Sequence, residues 1–301
     1  MLGRSVSTIS DELQRNTVGG IYHAKKAAHK AYVRRRYARY QGMKIVKHPG
    51  LCALVEEKLR EGRSPESIAG RIQRHEKHLP GVSADSIERF LRSIYGRRIE
   101  AYRERIKRKC KWRRRRPGGA KLKDRKFIDT RPHVINRRGR VGDAEADFIV
   151  SGKSGRGIIL TVADRKLRTS FLEKVLPVSI PNVHRAFVCI KKRYPEMRTI
   201  TTDNDILLGQ HKKLEHLLSV AIYFCHPYHS WEKGTIENTN GEIRRYIPKS
   251  SDISHYSTRF IRSVEMKIND RYMKVINFQT PWEALEKYRK QKNRARARLW
   301  R

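Results

Sequence analysis

Three carboxylates in this 301-residue chain stand where a carboxylate needs a physical reason. Asp147 lies inside the apolar run AEADFIV, two residues after Glu145. Asp203 ends the β-like run RTITTDN and is followed by Asn204. Glu237 lies in TIEN, within a segment that reads as helix. An acid inside an apolar strand is costly to bury unless it is paired or bound to a metal. Three such groups brought together can hold two Mg²⁺ ions, with water and a substrate phosphate completing the shells. Two ions about 3.5–4 Å apart activate an attacking oxygen and stabilise a leaving one, which is the chemistry of phosphoryl transfer. Taken singly, each acid reads as well as a surface residue or as a partner for one of the many arginines. As a set they favour the metal site.

The elements around these acids are those that would position them. Residues 144–152, 157–165 and 168–176 read as three short strands, and Gly152, Gly155 and Gly157 mark a turn that favours an antiparallel hairpin. A helical stretch (183–193), a strand (198–204), an amphipathic stretch (207–217), a strand (219–228) and a helical stretch (231–245) follow. Three meandering strands and then alternating helices and strands is the order of the ribonuclease H-like fold. Residues 254–301 read as helical with a break at Thr280-Pro281.

Charge divides the chain. Lys plus Arg is 69 against 30 Asp plus Glu, a net of +39. Residues 1–140 hold 39 basic and 13 acidic residues, a net of +26, and residues 141–301 hold 30 and 17, a net of +13. Such an excess opposes compaction unless a polyanion neutralises it, and nucleic acid rewards clustered Lys and Arg through counterion release. The densest run is 97–116, with 12 basic residues, and Pro117-Gly118-Gly119 then breaks any helix. It reads as a basic linker in which Arg113, Arg114, Arg115 and Arg116 meet phosphate, although such a run is also what a solvated patch looks like.

Two small helical units precede it. In SVSTISDELQR, Ser5 or Ser7 can cap a helix with Val6, Ile9 and Leu13 at helical spacing. Ser7, Thr8 and Arg15 would then face DNA, as in the recognition helix of a partial helix-turn-helix whose first helix is missing. A second unit has Leu51, Leu54, Val55 and Leu59 on one face, a helix capped by Ser64 with Pro65 in its first turn, and a third capped by Ser83 with Ile87, Phe90, Leu91 and Ile94 inward. A generic three-helix scaffold fits these segments as well as a helix-turn-helix does. Cys52, Cys110, Cys189 and Cys225 are widely spaced, which favours free thiols in a reducing cytoplasm over a zinc ribbon or a disulfide framework. No apolar run is long enough to cross a membrane, and residues 1–16 contain no signal-type apolar core.

The segment HPYHSWEKGTIENTNGEIRRYIPK (226–249) carries a resemblance. It resembles the last catalytic block of DDE-type insertion-sequence transposases, in particular the IS-thirty family, which reads H-P-Y-x-S-W-x-R/K-G-x-x-E-x-x-N-G-x-I/L-R-x-Y/F-x-P-K. The 33 residues between Asp203 and Glu237 agree with that family, as do Glu145 and Asp147 of the first block, SPESIAGRI (64–72) and SVSTISDELQRN (5–16).

The resemblance implies an α+β/α/β chain: N-terminal helix-turn-helix units followed by a ribonuclease H-like catalytic domain with a mixed sheet. The divisions expected are a partial helix-turn-helix and basic helix (1–40), a second helix-turn-helix (41–96), a basic linker (97–140), a catalytic core (141–250) and C-terminal helices (251–301). It implies that Asp147, Asp203 and Glu237 hold two Mg²⁺ (or Mn²⁺) ions. These would support nicking at transposon ends and strand transfer by a 3′-OH, with no covalent protein intermediate. Trp231, Lys233, Arg244, Arg245 and Lys249 would touch DNA, and Asn238 and Asn240 would orient Glu237 or a phosphate. The implied partners are double-stranded DNA (transposon ends and target) and further copies of the chain in a dimer or larger synaptic complex, without a membrane, in a cytoplasmic, nucleoid-associated setting.

Three features depart from the family. Asp143 and Ala144 replace a His and a Trp, where an extra acid would loosen the site or repel phosphate. Asp205-Ile206-Leu207-Leu208 replaces Gly-x-Glu-Phe. The start of the first helix-turn-helix is missing. The competing expectation is therefore a degenerate or domesticated relative that binds DNA without cutting it. A retroviral-type integrase or a ribonuclease H is a third, opposed by the paired helical units and the 226–249 block.

Overall fold

Apolar residues three and four apart stripe one side of a helix, and alternate residues of a strand point to opposite faces. In the computed structural model these two patterns give two compact units, residues 1–106 and 107–301. The structure describes residues 3–17, 19–38, 43–108, 124–152, 155–226 and 230–299.

The first unit contains α1 (Val6–Asn16), α2 (Ala24–Ala38), α3 (Met43–Val46), α4 (Pro49–Arg60), α5 (Pro65–His75), α6 (Ala84–Arg92) and α7 (Arg97–Arg108). The Ser64 hydroxyl accepts the Ser67 N–H at 3.2 Å and the Ser83 hydroxyl accepts that of Ser86 at 3.2 Å, so α5 and α6 start at the expected caps. Leu51, Val55, Leu59, Ile68, Ile72, Ile87 and Phe90 form the core.

Three expectations are corrected here. Ile94 is 68 % exposed, because α6 ends at Arg92 and Ser93 turns the chain into an extended conformation. The expected linker opens as α7, whose Ile99 is buried in the same core. Ser5 caps α1 by accepting the Thr8 N–H at 3.3 Å, yet Val6, Ile9 and Leu13 are exposed rather than packed. Residues 109–123, with Arg113, Arg114, Arg115 and Arg116, lie outside the described residues.

The second unit is built on β1 (Asp143–Val150), β2 (Ile158–Asp164), β3 (Ser170–Val175), β4 (Thr199–Thr202) and β5 (Ala221–Phe224). Its helices are α8 (His133–Asn136), α9 (Ile180–Arg193), α10 (His211–Leu218), α11 (Gly234–Ile243), α12 (Thr258–Asn269) and α13 (Pro281–Leu299). Short links make the β1–β2 and β2–β3 pairs antiparallel, and returns through α9 and α10 make β1–β4 and β4–β5 parallel. The order β3-β2-β1-β4-β5 is that of a ribonuclease H-like mixed sheet.

Helices cover both faces, so β2 is buried along its whole length. Ala144 and Ala146 of β1 pack with Val183, Phe187 and Leu214 of α9 and α10. Ile149, two residues after Asp147, packs on the other face with Ile243, Ile261 and Val264. Among the described residues no helix is long and apolar enough to cross a membrane.

The outer edge is held by side chains as well as by the sheet. Asn269 at the end of α12 is fully buried and bonds both backbone groups of Ser170 on β3, accepting its N–H at 2.8 Å and donating to its carbonyl at 2.7 Å. Asn269→Ala would orphan two buried backbone groups at about 1–3 kcal/mol each. Urea unfolding of the full chain should show a loss of roughly 2–4 kcal/mol. A loss under about 0.5 kcal/mol would mean that water replaces the clamp without cost.

Candidate active site

Strand register brings the first two acids level. In the parallel pair β1–β4, Glu145 lies opposite Thr201, so two residues further on Asp147 and Asp203 arrive together. Both carboxylates meet one cation. Lys233 Nζ is 3.4 Å from Asp147 Oδ1 and 3.1 Å from Asp203 Oδ2, and the lysine side chain is only 3 % exposed. Burial works to lower the lysine pKa, but the fields of Asp147 and Asp203 more than offset it and raise it above its ordinary value. Burial raises the pKa of Asp147 while Lys233 opposes the rise and Asp203 adds to it. The other oxygen of Asp147 accepts Asn240 Nδ2 at 2.7 Å. Asn240 was expected to serve Glu237 or a phosphate, and it orients Asp147 instead.

Glu237 is exposed in the first turn of α11, four residues after Lys233 and so on the same side of that turn. Its carboxyl is raised first by burial, against the pull of Lys233, and then by the charges of Asp147, Asp203 and Glu145. It therefore senses both partners of the lysine. Among the described residues no three His, Cys, Asp or Glu side chains are gathered tightly enough to hold a metal ion. The structure thus joins Asp147 to Asp203 around Lys233 and leaves Glu237 beside them.

Glu145 fixes α11 over the strand. It is buried, and its Oε2 accepts the Ile236 N–H at 2.9 Å, in the first turn of α11. There an anion also meets the positive end of the helix dipole. Its Oε1 is 3.5 Å from Arg165 Nη1, and Arg168 Nη1 donates to Thr235 Oγ1 at 2.7 Å. Sequence reasoning missed Arg165, Arg168 and Asp164. Asp164 is buried and accepts the N–H groups of Gly142 (2.9 Å) and Lys166 (2.8 Å), closing the turn after β2. An Asp ending a strand before a polar turn was a usable signal.

The other expected DNA contacts are placed unevenly. Ser7, Thr8 and Arg15 are exposed on α1. The Trp231 backbone lies in a short 3₁₀ turn, Ser230–Lys233, and its side chain is outside the described residues. Arg244 is half-buried and donates to the carbonyls of Pro248 (3.3 Å) and Val150 (3.1 Å), so it braces α11 against the end of β1. Arg245 is exposed and paired with Glu242 at 3.0 Å, and Lys249 and Asn238 are exposed.

No family model matches the chain. It is 34 % identical over 291 residues to the transposase for insertion sequence element IS4351 of Bacteroides fragilis, across 94 % of this chain and 86 % of that protein. It is 30 % identical over 299 residues to the transposase InsI for insertion sequence element IS30A of Escherichia coli (strain K12), across 95 % of this chain and 77 % of that protein. The chain belongs to the IS30 family of insertion-sequence transposases. Among solved structures it is similar to the catalytic core domain of BIV integrase, with a TM-score of 0.39 and 15 % identity over 50 % of this chain and 97 % of that one.

The departures from the family pattern sit away from the paired carboxylates. Asp143 is fully buried and neutralised by Arg140 Nε, at 2.9 and 3.1 Å from its two oxygens, and by the Thr199 hydroxyl at 2.8 Å. It is not the loose acid the sequence suggests. Ala144 is buried in the core on the opposite face, and Asp205 caps a 3₁₀ turn by accepting the Leu207 N–H at 2.9 Å.

A pH dependence follows from Glu237. Its carboxyl holds its proton more tightly in the fold than its ordinary value of 4.5 allows. That contribution to stability is full below the unfolded value and is lost as pH rises through the folded one. Glu237→Gln, which stays neutral, should therefore unfold at a higher temperature than the parent chain at neutral pH in chelator. Thermal scans should show the gap closing as pH falls towards about 4. A gap that is constant, or widest in acid, would refute this.

Proposed function

We propose that this chain is a catalytically competent DNA transposase that cleaves transposon ends and joins them to target DNA with divalent metal ions. The observation that carries the reading is the convergence of Asp147, within β1, and Asp203, just past the end of the neighbouring parallel strand β4, on a single cationic point. The donor chemistry suits Mg²⁺ or Mn²⁺, which take hard carboxylate oxygens. Asp147 and Asp203 would hold the metal, and Glu237 would complete the set from α11. When bound, two ions supply Lewis-acid charge that activates the attacking oxygen and stabilises the leaving one.

The residues of the chain supply positioning. Asn240 holds one oxygen of Asp147 while the other faces Lys233, the cation shared with Asp203. Glu145 and Arg168 keep the start of α11 in place, and Glu237 with it. The neutralised Asp143 and the capping Asp205 favour this reading over a degenerate relative, because neither charge is free to disturb the pair. The N-terminal helices and the basic run would grip double-stranded DNA, and two ends handled together call for at least two copies of the chain.

Nicking of end-containing DNA in Mg²⁺ or Mn²⁺ tests the chemistry. Asp203→Asn should fall to background while DNA binding is kept. Asn240→Ala should lose about 10–100-fold, the usual effect of removing a group that orients a metal ligand. Equal nicking by the parent chain and Asp203→Asn would end the enzyme claim.

DNA affinity measured against salt tests the grip. Replacing Arg113, Arg114, Arg115 and Arg116 with Ala should flatten the slope of log K against log salt by up to about 3.6, at 0.9 per phosphate. An unchanged slope would remove this run from the interface.

A further inference from the structure

Lys233 occupies the position that the metal reading reserves for a divalent ion. Its ammonium touches one oxygen of each carboxylate, and its side chain is almost wholly enclosed. Mg²⁺ binds oxygen at about 2.0–2.1 Å and holds a strict octahedral shell. An ammonium held against the same two oxygens competes with the ion for their charge, and two cations side by side repel each other. Without any cation, the two carboxylates would repel each other. The lysine thus suits the metal-free protein and opposes the loaded one.

The start of α11 does not depend on the lysine for its place. Lys233 is the residue before α11, at the junction with the 3₁₀ turn. The helix itself is tied down further along, at Thr235 by Arg168 and at Ile236 by Glu145. The start of α11, and Glu237 and Asn240 with it, is thus held by contacts that do not involve the lysine. A displaced ammonium needs another anion, and a lysine is a mobile point charge well suited to a DNA phosphate.

We propose that Lys233 is a stand-in cation that closes the Asp147–Asp203 site in the metal-free protein and is displaced when a divalent ion enters, its ammonium then passing to a phosphate of bound DNA. This rests on the reading that the two carboxylates bind metal. Metal loading and DNA binding then assist each other, because DNA offers the lysine a partner and reciprocity makes the coupling mutual. Lys233 is a positioning residue in this scheme: it governs when the ligands are free.

The full-length, metal-free protein is titrated with Mn²⁺, following free Mn²⁺ by its electron paramagnetic resonance signal without DNA. Lys233→Met should bind Mn²⁺ at least about tenfold more tightly than the parent chain, since the competitor is gone; a tenfold change corresponds to about 1.4 kcal/mol. Binding that is equal or weaker in a folded Lys233→Met overturns the proposal. A second measurement needs no variant: amine acetylation of the parent chain, read at Lys233 by peptide mass spectrometry with and without saturating Mn²⁺. Labelling should rise several-fold with Mn²⁺. Unchanged labelling overturns the proposal, even if the variant binds more tightly through lost charge alone. Asp203→Asn separates the two levels. If it binds Mn²⁺ as well as the parent chain does, the metal reading itself falls. If binding depends on Asp203 but neither Lys233 measurement responds, only the lysine proposal falls.

Discussion

A strand that carries acids into a buried face must find each of them a partner, and β1 meets that constraint rung by rung. Asp143 takes Arg140 and the Thr199 hydroxyl, Glu145 takes Arg165 and a backbone N–H of α11, and Asp147 takes Lys233 and Asn240. An unpaired charge at any of these positions would be expelled or neutralised. The first two rungs are satisfied by the framework around the strand. The third shares its cation with Asp203 on the loop after β4, so the same demand that stabilises β1 also assembles the site.

The basic excess has a structural share as well as a DNA-facing one. Arg193 reaches the buried Glu265 at 2.7 Å, and Arg262 reaches Glu173 at 2.8 Å and Glu265 at 3.1 Å, which ties α9 and α12 to the edge strand β3. Breaking such a buried pair leaves an uncompensated charge, a far larger penalty than losing an exposed pair. Arg244 likewise holds backbone carbonyls instead of facing outward. A net charge of +39 therefore overstates the number of cations available to phosphate.

Much of the fold was legible because its signals are local. Short β-like runs with turn signals between them marked β1, β2 and β3, the runs RTITTDN and SVAIYFCHPY marked β4 and β5, and Ser64 and Ser83 marked the helix starts. What depends on tertiary contact was not legible. Val6, Ile9 and Leu13 have helical spacing but no surface to pack against, since spacing says which face is apolar and not what covers it. Ile94 fits the α6 stripe, yet the helix stops two residues short of it. In the site, Asp147 and Asp203 were legible as costly acids, whereas the partners of Lys233, Asn240 and Glu145 lie at sequence separations of 86, 93 and 91 residues and only the packing of α11 on the sheet brings them together.

The same geometry bears on where this chain can depart from the family pattern without disturbing the site. Residues of β1 alternate between the core packed by α9 and α10 and the face under α11, so Ala144 can differ from the family without entering the carboxylate face. Asp143 lies on the acid face, but its charge is matched by Arg140, three positions away, and by the Thr199 hydroxyl. Asp205 turns its side chain to its own backbone. Glu145, Asp147, Lys233 and Asn240 have no such freedom, because each bonds an element distant in sequence, and a change at one leaves a charge or an amide on the other without its partner. Around the paired carboxylates, the residues held by long-range pairing are those of the 226–249 block and the strand it covers.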